Sequence, residues 1–192
     1  MAHDWQANLE SLPSFECLVD EHQSMVFSLA LRMTGDRGLA EEIAQDVFLE
    51  LDRNMGKMES AAHACFWLRR VAMSRSADAL RRRRVRGVDL WVELEDGHGI
   101  GAEEGSSLIK GLGPAVSSNA GPLSVRLEQL LATLPEAQRA ALVLRYQEDL
   151  APEEIAVTLG APVATVKSHL QRGLKLLRAK AATHLKEFVR GA

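Results

Sequence analysis

Cysteines, aromatic side chains and long hydrophobic runs are all scarce in this chain of 192 residues. The two cysteines, Cys17 and Cys65, form no CxxC pair, so neither a disulfide framework nor a structural zinc site is expected. No apolar run exceeds five residues, which is far too short to span a bilayer. The first residues lack a basic segment followed by an apolar run, so no secretory signal is expected. The simplest prediction is a reduced, cytoplasmic protein without membrane insertion.

Sequence patterns typical of catalysis are also missing. The glycines precede no strand-to-helix turn and no Gly-Lys-Ser/Thr, which argues against a phosphate-binding loop. The six histidines show no zinc-ligand spacing with cysteine, and no Ser-His-Asp arrangement can be argued from spacing. These patterns give no support to an enzyme, a cofactor or a metal site.

The net charge of −3 conceals a strong segregation of charge along the chain. Residues 1–60 carry 12 acids against 4 bases, whereas residues 61–87 carry 8 arginines against one acid. Residues 88–122 are acidic again, with 6 acids against one lysine, and residues 163–192 carry 7 bases against one acid. Two basic stretches are therefore separated by an acidic one, and a polyanion would meet this chain at two places.

Hydrophobic periodicity predicts an all-α protein, because apolar residues recur at three- and four-residue steps and no strand-like alternation is convincing. The predicted helices span residues 14–34, 39–55, 61–84, 123–133, 135–146, 152–159 and 162–189. Residues 88–122 hold 7 of the 14 glycines and show no helical period, which predicts a flexible acidic linker rich in Gly and Ser. We therefore expect an N-terminal extension (1–13) and two small helical domains (14–87 and 123–192) joined by that linker.

The stretch from Leu150 to Leu177 has the pattern of a helix-turn-helix. A short helix is followed by Gly160 and by a second helix, whose Val166, Leu170, Leu174 and Leu177 share one apolar face. In such motifs the second helix enters the major groove and its side chains meet base edges and phosphates. The alternative is an ordinary helical hairpin with a solvated basic face, but the spacing, the turn glycine and the one-sided charge together favour DNA binding.

Two further stretches are less specific. The basic segment from Phe66 to Arg86 fits a nucleic-acid face, a membrane-surface helix or a solvated charge run. Within it, Trp67 is suited either to stacking on an unpaired base or to anchoring the core. The segment from Leu39 to Leu51 is an acidic amphipathic helix, which by itself is more often a plain surface helix than a docking site.

Taken together, these stretches resemble an extracytoplasmic-function (ECF) sigma factor, a small two-domain bacterial initiation factor. Ala40–Leu49 looks like the polymerase-binding helix of region 2 in that family. Phe66–Ala72, followed by Asp78–Arg82, looks like the helix that opens and reads the promoter −10 element. The resemblance to region 4, which reads the −35 element, rests on Leu134-Pro135, Arg139, Glu154–Ala156, Gly160 and Thr165–Ser168.

The resemblance implies a non-catalytic protein that acts with bacterial core RNA polymerase and promoter DNA, without a cofactor, under the control of an anti-sigma factor. It implies three groups of site residues. For core polymerase they are Glu41, Glu42, Gln45, Asp46 and Phe48. For the −10 element they are Trp67, Arg70, Ser74, Arg75, Asp78, Arg81 and Arg82. For the −35 element they are Thr165, Lys167, Ser168, His169, Gln171, Arg172 and Lys175.

Three residues depart from the family pattern. The family usually has Asp at the position of Glu42, Asn at that of Ser74 and a basic residue at that of His169, and the last two bear on promoter sequence.

Two other functions compete with that of a sigma factor. A stand-alone helix-turn-helix regulator would bind an operator as a dimer, although a sensory N-terminal domain has no need of the arginine run. An antagonist that binds polymerase without initiating would not need both basic faces.

Overall fold

The computed structural model describes residues 12–95 and 122–190, and these residues form two helical domains. The N-terminal domain contains α1 (Phe15–Thr34), α2 (Arg37–Asn54) and α3 (Ala61–Glu95), with a 3₁₀ turn at Met55–Lys57. The C-terminal domain contains α4 (Pro122–Ala132), α5 (Glu136–Tyr146), α6 (Pro152–Leu159) and α7 (Val163–Arg190). The predicted all-α class with two small domains is confirmed. No helix within the described residues is both long and apolar enough to cross a membrane.

Local signals set most of the helix ends. The Ser14 hydroxyl accepts a hydrogen bond from the Cys17 amide at 3.3 Å and caps α1. Gly35 ends α1 with a φ of 68°, a left-handed conformation that glycine adopts at little cost. The Asp36 carboxylate then accepts from the Leu39 amide at 3.1 Å and caps α2. These caps fix the tight turn that folds α2 back along α1.

Helix α3 is longer than predicted, whereas α6 begins and ends where the sequence predicts. Helix α3 continues to Glu95, although the sequence suggested an end near Arg84 and a linker from residue 88. A single glycine inside a helix costs only about 1 kcal/mol, so Gly87 does not end α3. The first eight residues of the predicted linker, 88–95, are therefore helical. Residues 96–121 of that linker and residues 1–11 of the predicted N-terminal extension lie outside the described residues.

The largest apolar core extends across both domains. Its fully buried members from the N-terminal domain include Leu18, Leu29 and Leu68, and those from the C-terminal domain include Leu144 and Ile155. A second, smaller cluster of Leu131, Leu134 and Leu142 lies within the C-terminal domain. The domains meet where α1 packs against α4 and α5 and where α3 packs against α6. We call these contacts the interdomain interface.

Candidate nucleic-acid interface

Helices α6 and α7 form the predicted helix-turn-helix. Gly160 has a φ of 62° at the turn, and the Ala161 amide donates to the Ala156 carbonyl at 3.0 Å to close it. The Glu154 carboxylate caps the start of α6 by accepting from the Ala151 amide at 2.7 Å. On the inner face of α7, Val166 is fully buried, and Leu170, Leu174 and Leu177 pack against the apolar clusters. The predicted inner face is thus the observed one.

Close packing against α5 also positions α7. Gly173 is buried in the middle of α7, and a Cβ atom added there would lie 2.9 Å from Leu142 Cδ1 and 3.4 Å from Gln138 Cβ. Any larger residue at 173 would have to displace the buried Leu142 side chain. The glycine therefore allows the two helices to approach closely, which fixes how far α7 stands out from the domain.

The outer face of α7 carries the seven residues predicted to contact the −35 element. Because they span less than three helical turns, a single groove of DNA could contact several of them at once. Five are exposed, namely Thr165, Lys167, Gln171, Arg172 and Lys175, and two are half-buried, namely Ser168 and His169. The imidazole Nδ1 of His169 is buried without a hydrogen-bond partner in the described part of the chain.

Lys167 is paired with an acid in the free chain. Its Nζ lies 3.2 Å from Glu153 Oε1, across the turn between α6 and α7. The pKa of Glu153 is lowered by a hydrogen bond with its own backbone and then by Lys167. Both side chains are more than half exposed (56% and 62%), so water and salt screen the pair and a phosphate could replace the carboxylate.

The basic part of α3 carries the residues predicted to contact the −10 element. Arg70, Ser74, Arg81 and Arg82 are exposed, whereas Arg75 and Asp78 are half-buried. Trp67 is half-buried and packs against the large apolar core. Of the two roles considered for Trp67, the structure therefore supports the core anchor, and it leaves part of the side chain accessible.

Several arginines of α3 are neutralised by acids of the same domain. Arg75 Nη2 lies 2.5 Å from Glu50 Oε2, and its Nε donates to the same oxygen at 3.2 Å. This hydrogen bond to Glu50 raises the pKa of Arg75. Arg81 lies 3.2 Å from Asp78, and Arg83 lies 3.4 Å from Asp36. The basic surface of α3 is thus partly balanced by nearby carboxylates before any nucleic acid binds.

The predicted polymerase-binding residues lie on α2. Glu41, Glu42, Gln45 and Asp46 are exposed, and Phe48 is half-buried against the large core. Sequence reasoning missed a neighbouring side chain, Leu49, which is 55% exposed. The signal was available, because Leu49 lies outside the inner stripe of α2. A single exposed leucine is common on protein surfaces, so its exposure alone assigns no role to α2.

Two arginines form unpredicted bonds across the interdomain interface. Arg69 of α3 donates through Nε to Glu148 Oε2 at 2.9 Å. Arg139 of α5, which the sequence singled out without giving it a partner, is buried and donates to the Met33 carbonyl at the end of α1. Neither hydrogen bond could be predicted from the sequence, because the bonded residues are 79 and 106 positions apart.

Family models match both domains of the chain. The model described as Sigma-70 region 2 matches residues 18–86, and the model described as Sigma-70, region 4 matches residues 124–177. The first match covers most of α1, all of α2 and α3 as far as Arg86, and the second includes the helix-turn-helix. The fold and its two candidate surfaces therefore define a sigma factor of the sigma-70 class.

Curated relatives narrow this class to one family. The chain is 32% identical over 183 residues to the ECF RNA polymerase sigma factor SigE of Mycolicibacterium smegmatis, covering 95% of this chain and 67% of the relative. It is 30% identical over 160 residues to the RNA polymerase sigma-H factor of Pseudomonas aeruginosa, covering 83% of this chain and 81% of that protein. The chain belongs to the ECF family of RNA polymerase sigma factors.

Solved structures share the fold of most of the chain. The sigma factor RpoE, crystallised with the anti-sigma factor NepR from Bartonella quintana, superposes with a TM-score of 0.64 at 18% identity, covering 86% of this chain and 94% of that one. CnrH, in complex with the cytosolic domain of CnrY, superposes with a TM-score of 0.59 at 18% identity, covering 88% of each chain. These likenesses concern the fold alone.

Proposed function

We propose a division of labour between the two domains of this ECF sigma factor. As a sigma factor it is not an enzyme; it directs core RNA polymerase to promoters and promotes DNA opening. In our proposal the C-terminal domain reads the −35 element as duplex, and the N-terminal domain binds core polymerase and holds the opened −10 element. The observation that carries the proposal is the exposed polar and basic row on α7, presented by a helix-turn-helix.

The outer face of α7 suits the major groove. Thr165, Ser168 and Gln171 offer hydroxyl and amide groups for base edges, and Arg172 and Lys175 offer cations for phosphates or guanine. His169 stands where the family usually has a basic residue, so this position lacks a long cationic side chain that could reach a phosphate. We expect this substitution to affect promoter preference more than overall affinity.

The basic part of α3 suits single-stranded DNA. Arg70, Arg81 and Arg82 present exposed cations along a rigid helix, as a strand held by its phosphates requires. The accessible part of Trp67 offers an edge for an unpaired base, although its packing against the core limits how far it can rotate. Ser74 replaces the usual Asn with a shorter side chain, which reduces the reach of this position toward a base.

The acidic face of α2 suits a basic or polar surface of core polymerase. Glu41, Glu42, Gln45 and Asp46 are exposed, and Leu49 adds an apolar contact of the kind found at the centre of interfaces. In a pull-down with sigma-free core polymerase, the pair of substitutions Gln45→Ala and Asp46→Ala should weaken retention. Asp20→Ala, which removes an exposed acid of α1, is the control. Full retention of the double variant would remove α2 from the interface.

The partners and location of the chain follow from this function. Both solved structures are complexes with a second protein, which is an anti-sigma factor in the case of RpoE. We propose that an anti-sigma factor also controls this chain, by covering its polymerase- or DNA-binding surfaces. A protein that acts with RNA polymerase would work in the cytoplasm.

The experiment that tests the proposed function is transcription in vitro. The purified chain is added to sigma-free core polymerase on a pool of genomic promoter fragments. New start sites that appear only with the chain, preceded by two shared sequence elements, would support the proposal. Tight binding to duplex DNA without polymerase, with no initiation, would instead support the stand-alone helix-turn-helix regulator.

A further inference from the structure

The cations of the proposed −35 surface differ in whether an acid neutralises them. Arg172 and Lys175 are exposed and form no ion pair within the described residues. Lys167 is exposed as well, but its Nζ lies 3.2 Å from Glu153 Oε1. Lys167 is the fifth residue of α7, and the N-terminal residues of a recognition helix are the ones that meet base edges. The paired cation is therefore the one best placed to read sequence.

Local structure holds the Glu153 carboxylate beside Lys167. Glu153 lies in the first turn of α6, where unpaired amides and the helix dipole favour a negative charge. A hydrogen bond with its own backbone, and then Lys167, lower the pKa of Glu153. The neighbouring Glu154 is engaged elsewhere, because its carboxylate accepts from the Ala151 amide at 2.7 Å. Glu153 is thus an ionised side chain fixed at the start of α6.

The ion pair connects the two helices of the helix-turn-helix. In a docked motif the second helix lies in the major groove, and the first helix crosses the sugar-phosphate backbone. Glu153 belongs to the first helix and Lys167 to the second. When α7 enters the groove, the carboxylate of Glu153 therefore lies between Lys167 and the backbone, where it repels phosphates and keeps hold of the ammonium group.

A paired lysine keeps part of its hydrogen-bonding capacity but little of its net charge. An ammonium group has three N–H donors, so two remain when one faces Glu153. These two can still donate to base acceptors such as O6 and N7 of guanine. The pair as a whole is neutral, however, and a neutral pair does not release counterions from DNA as a free cation does. Glu153 thus removes what Lys167 would give to any duplex and preserves what it gives to a particular base pair.

We propose that Glu153 is a specificity-determining residue of the −35 contact, which holds Lys167 as a donor to bases and keeps it from acting as a free phosphate cation. The inference rests on the proposed reading of the −35 element by α7. Nonspecific binding comes almost entirely from neutralised phosphates, so the pair weakens it most. Binding to the −35 element retains its base contacts. An acid that weakens both kinds of binding unequally therefore increases the ratio between them.

The test uses a matched pair of acid-to-amide substitutions in the full-length chain. Glu153→Gln removes the charge that faces Lys167. Asp149→Asn removes a charge of the same domain that pairs with Arg145 of α5, at 3.7 Å, and not with α7. Fluorescence anisotropy measures the affinity of each chain for two short duplexes over a series of salt concentrations. One duplex carries the −35 element of a promoter that the chain uses, and the other has the same bases in shuffled order.

The expected results separate the two variants. Glu153→Gln should tighten binding to the shuffled duplex by about twofold to fivefold and binding to the −35 duplex by less, so the ratio of the two affinities falls. Its slope of log K against log salt on the shuffled duplex should steepen by up to about 0.9, the contribution of one phosphate. Asp149→Asn should leave the ratio at the wild-type value. Equal tightening on both duplexes, or the same ratio in both variants, would overturn the proposal.

A double substitution shows whether the effect passes through Lys167. In a chain that carries Lys167→Ala, adding Glu153→Gln should no longer change the ratio of the two affinities, and circular dichroism should stay the same throughout. A change that persists without Lys167 would overturn the proposal. If the wild-type chain prefers neither duplex, the proposed reading of the −35 element fails and this inference fails with it. If the wild-type chain prefers the −35 duplex and Glu153→Gln keeps the same ratio, only the inference fails.

Discussion

The two domains differ in how they complete their apolar cores. The N-terminal domain buries Leu18, Leu29 and Leu51 among three long helices. The C-terminal domain has only a small separate cluster around Leu131, Leu134 and Leu142 in the part that the structure describes, and most of its other buried apolar residues join the core of the N-terminal domain. The smaller domain, which carries the helix-turn-helix, therefore depends more on its neighbour for burial of its apolar residues.

The largest effect should come from two leucines of α5 that belong to different clusters. Leu144→Ala and Leu142→Ala remove the same atoms from buried positions, and each should lower the free energy of unfolding by about 2–5 kcal/mol in urea titrations. Of the two, Leu144 belongs to the core shared between domains. We expect Leu144→Ala alone to raise the radius of gyration of the folded chain. Equal scattering curves for the two variants would contradict the idea that only the cluster of Leu144 holds the domains together.

The next effect concerns the outer face of α7. Replacing Arg172 and Lys175 by Ala should weaken binding to duplex that carries the −35 element. Each phosphate that the protein no longer neutralises should reduce the slope of log K against log salt by about 0.9. Lys57→Ala, an exposed cation of the N-terminal domain, is the control. A slope unchanged by the double substitution would exclude this face from the duplex contact.

A smaller effect should follow from releasing Arg75. Glu50→Gln removes the acid that lies 2.5 Å from Arg75 Nη2, and we expect single-stranded DNA to bind about twofold to fivefold more tightly because a phosphate no longer competes with a carboxylate. The unfolding free energy should fall by about 1 kcal/mol or less, since the pair is partly exposed. Asp20→Asn controls for the change of net charge, and similar gains in both variants would rule out a specific role for Arg75.

The smallest effect is a pH dependence from Cys65. Burial, followed by the nearby carboxylates Glu148 and Glu21, raises the pKa of this thiol, and Arg69 opposes the rise. The folded chain keeps the proton at a pH where the unfolded chain has released it, so stability falls as pH rises above the usual thiol pKa. Urea midpoints measured on either side of this pKa should fall more steeply for wild type than for Cys65→Ala. Parallel curves would contradict the shift.

Local features of the fold could be predicted from the sequence, and distant pairings could not. Gly35 and Gly160 follow the last apolar positions of α1 and α6, where a helix commonly ends on a residue in the left-handed conformation. Both glycines adopt that conformation, so these two helix ends could be predicted. The predicted end of α3 was wrong because a glycine-rich segment follows it and Gly87 alone does not stop a helix.

The site was predictable to a similar extent. Periodicity indicated which side of α7 faces outward, because a buried stripe on one side of a helix leaves the opposite side exposed. It could not indicate that Lys167 and Arg75 are paired with Glu153 and Glu50, or that Glu148 meets Arg69, because such pairs depend on tertiary packing. Which residues contact polymerase or each promoter element stays a prediction.

The shared core also limits how the two halves of the chain can be recombined. A chimera could join this N-terminal domain to the C-terminal domain of a relative. Its two interdomain surfaces would then come from different proteins, so their side chains would not be matched to each other. The Met33 carbonyl would meet a different donor in place of Arg139, and the core that Leu18 and Leu68 share with the C-terminal domain would be completed by different side chains. Promoter preference should therefore transfer more cleanly by exchanging the exposed residues of α7 than by exchanging whole domains.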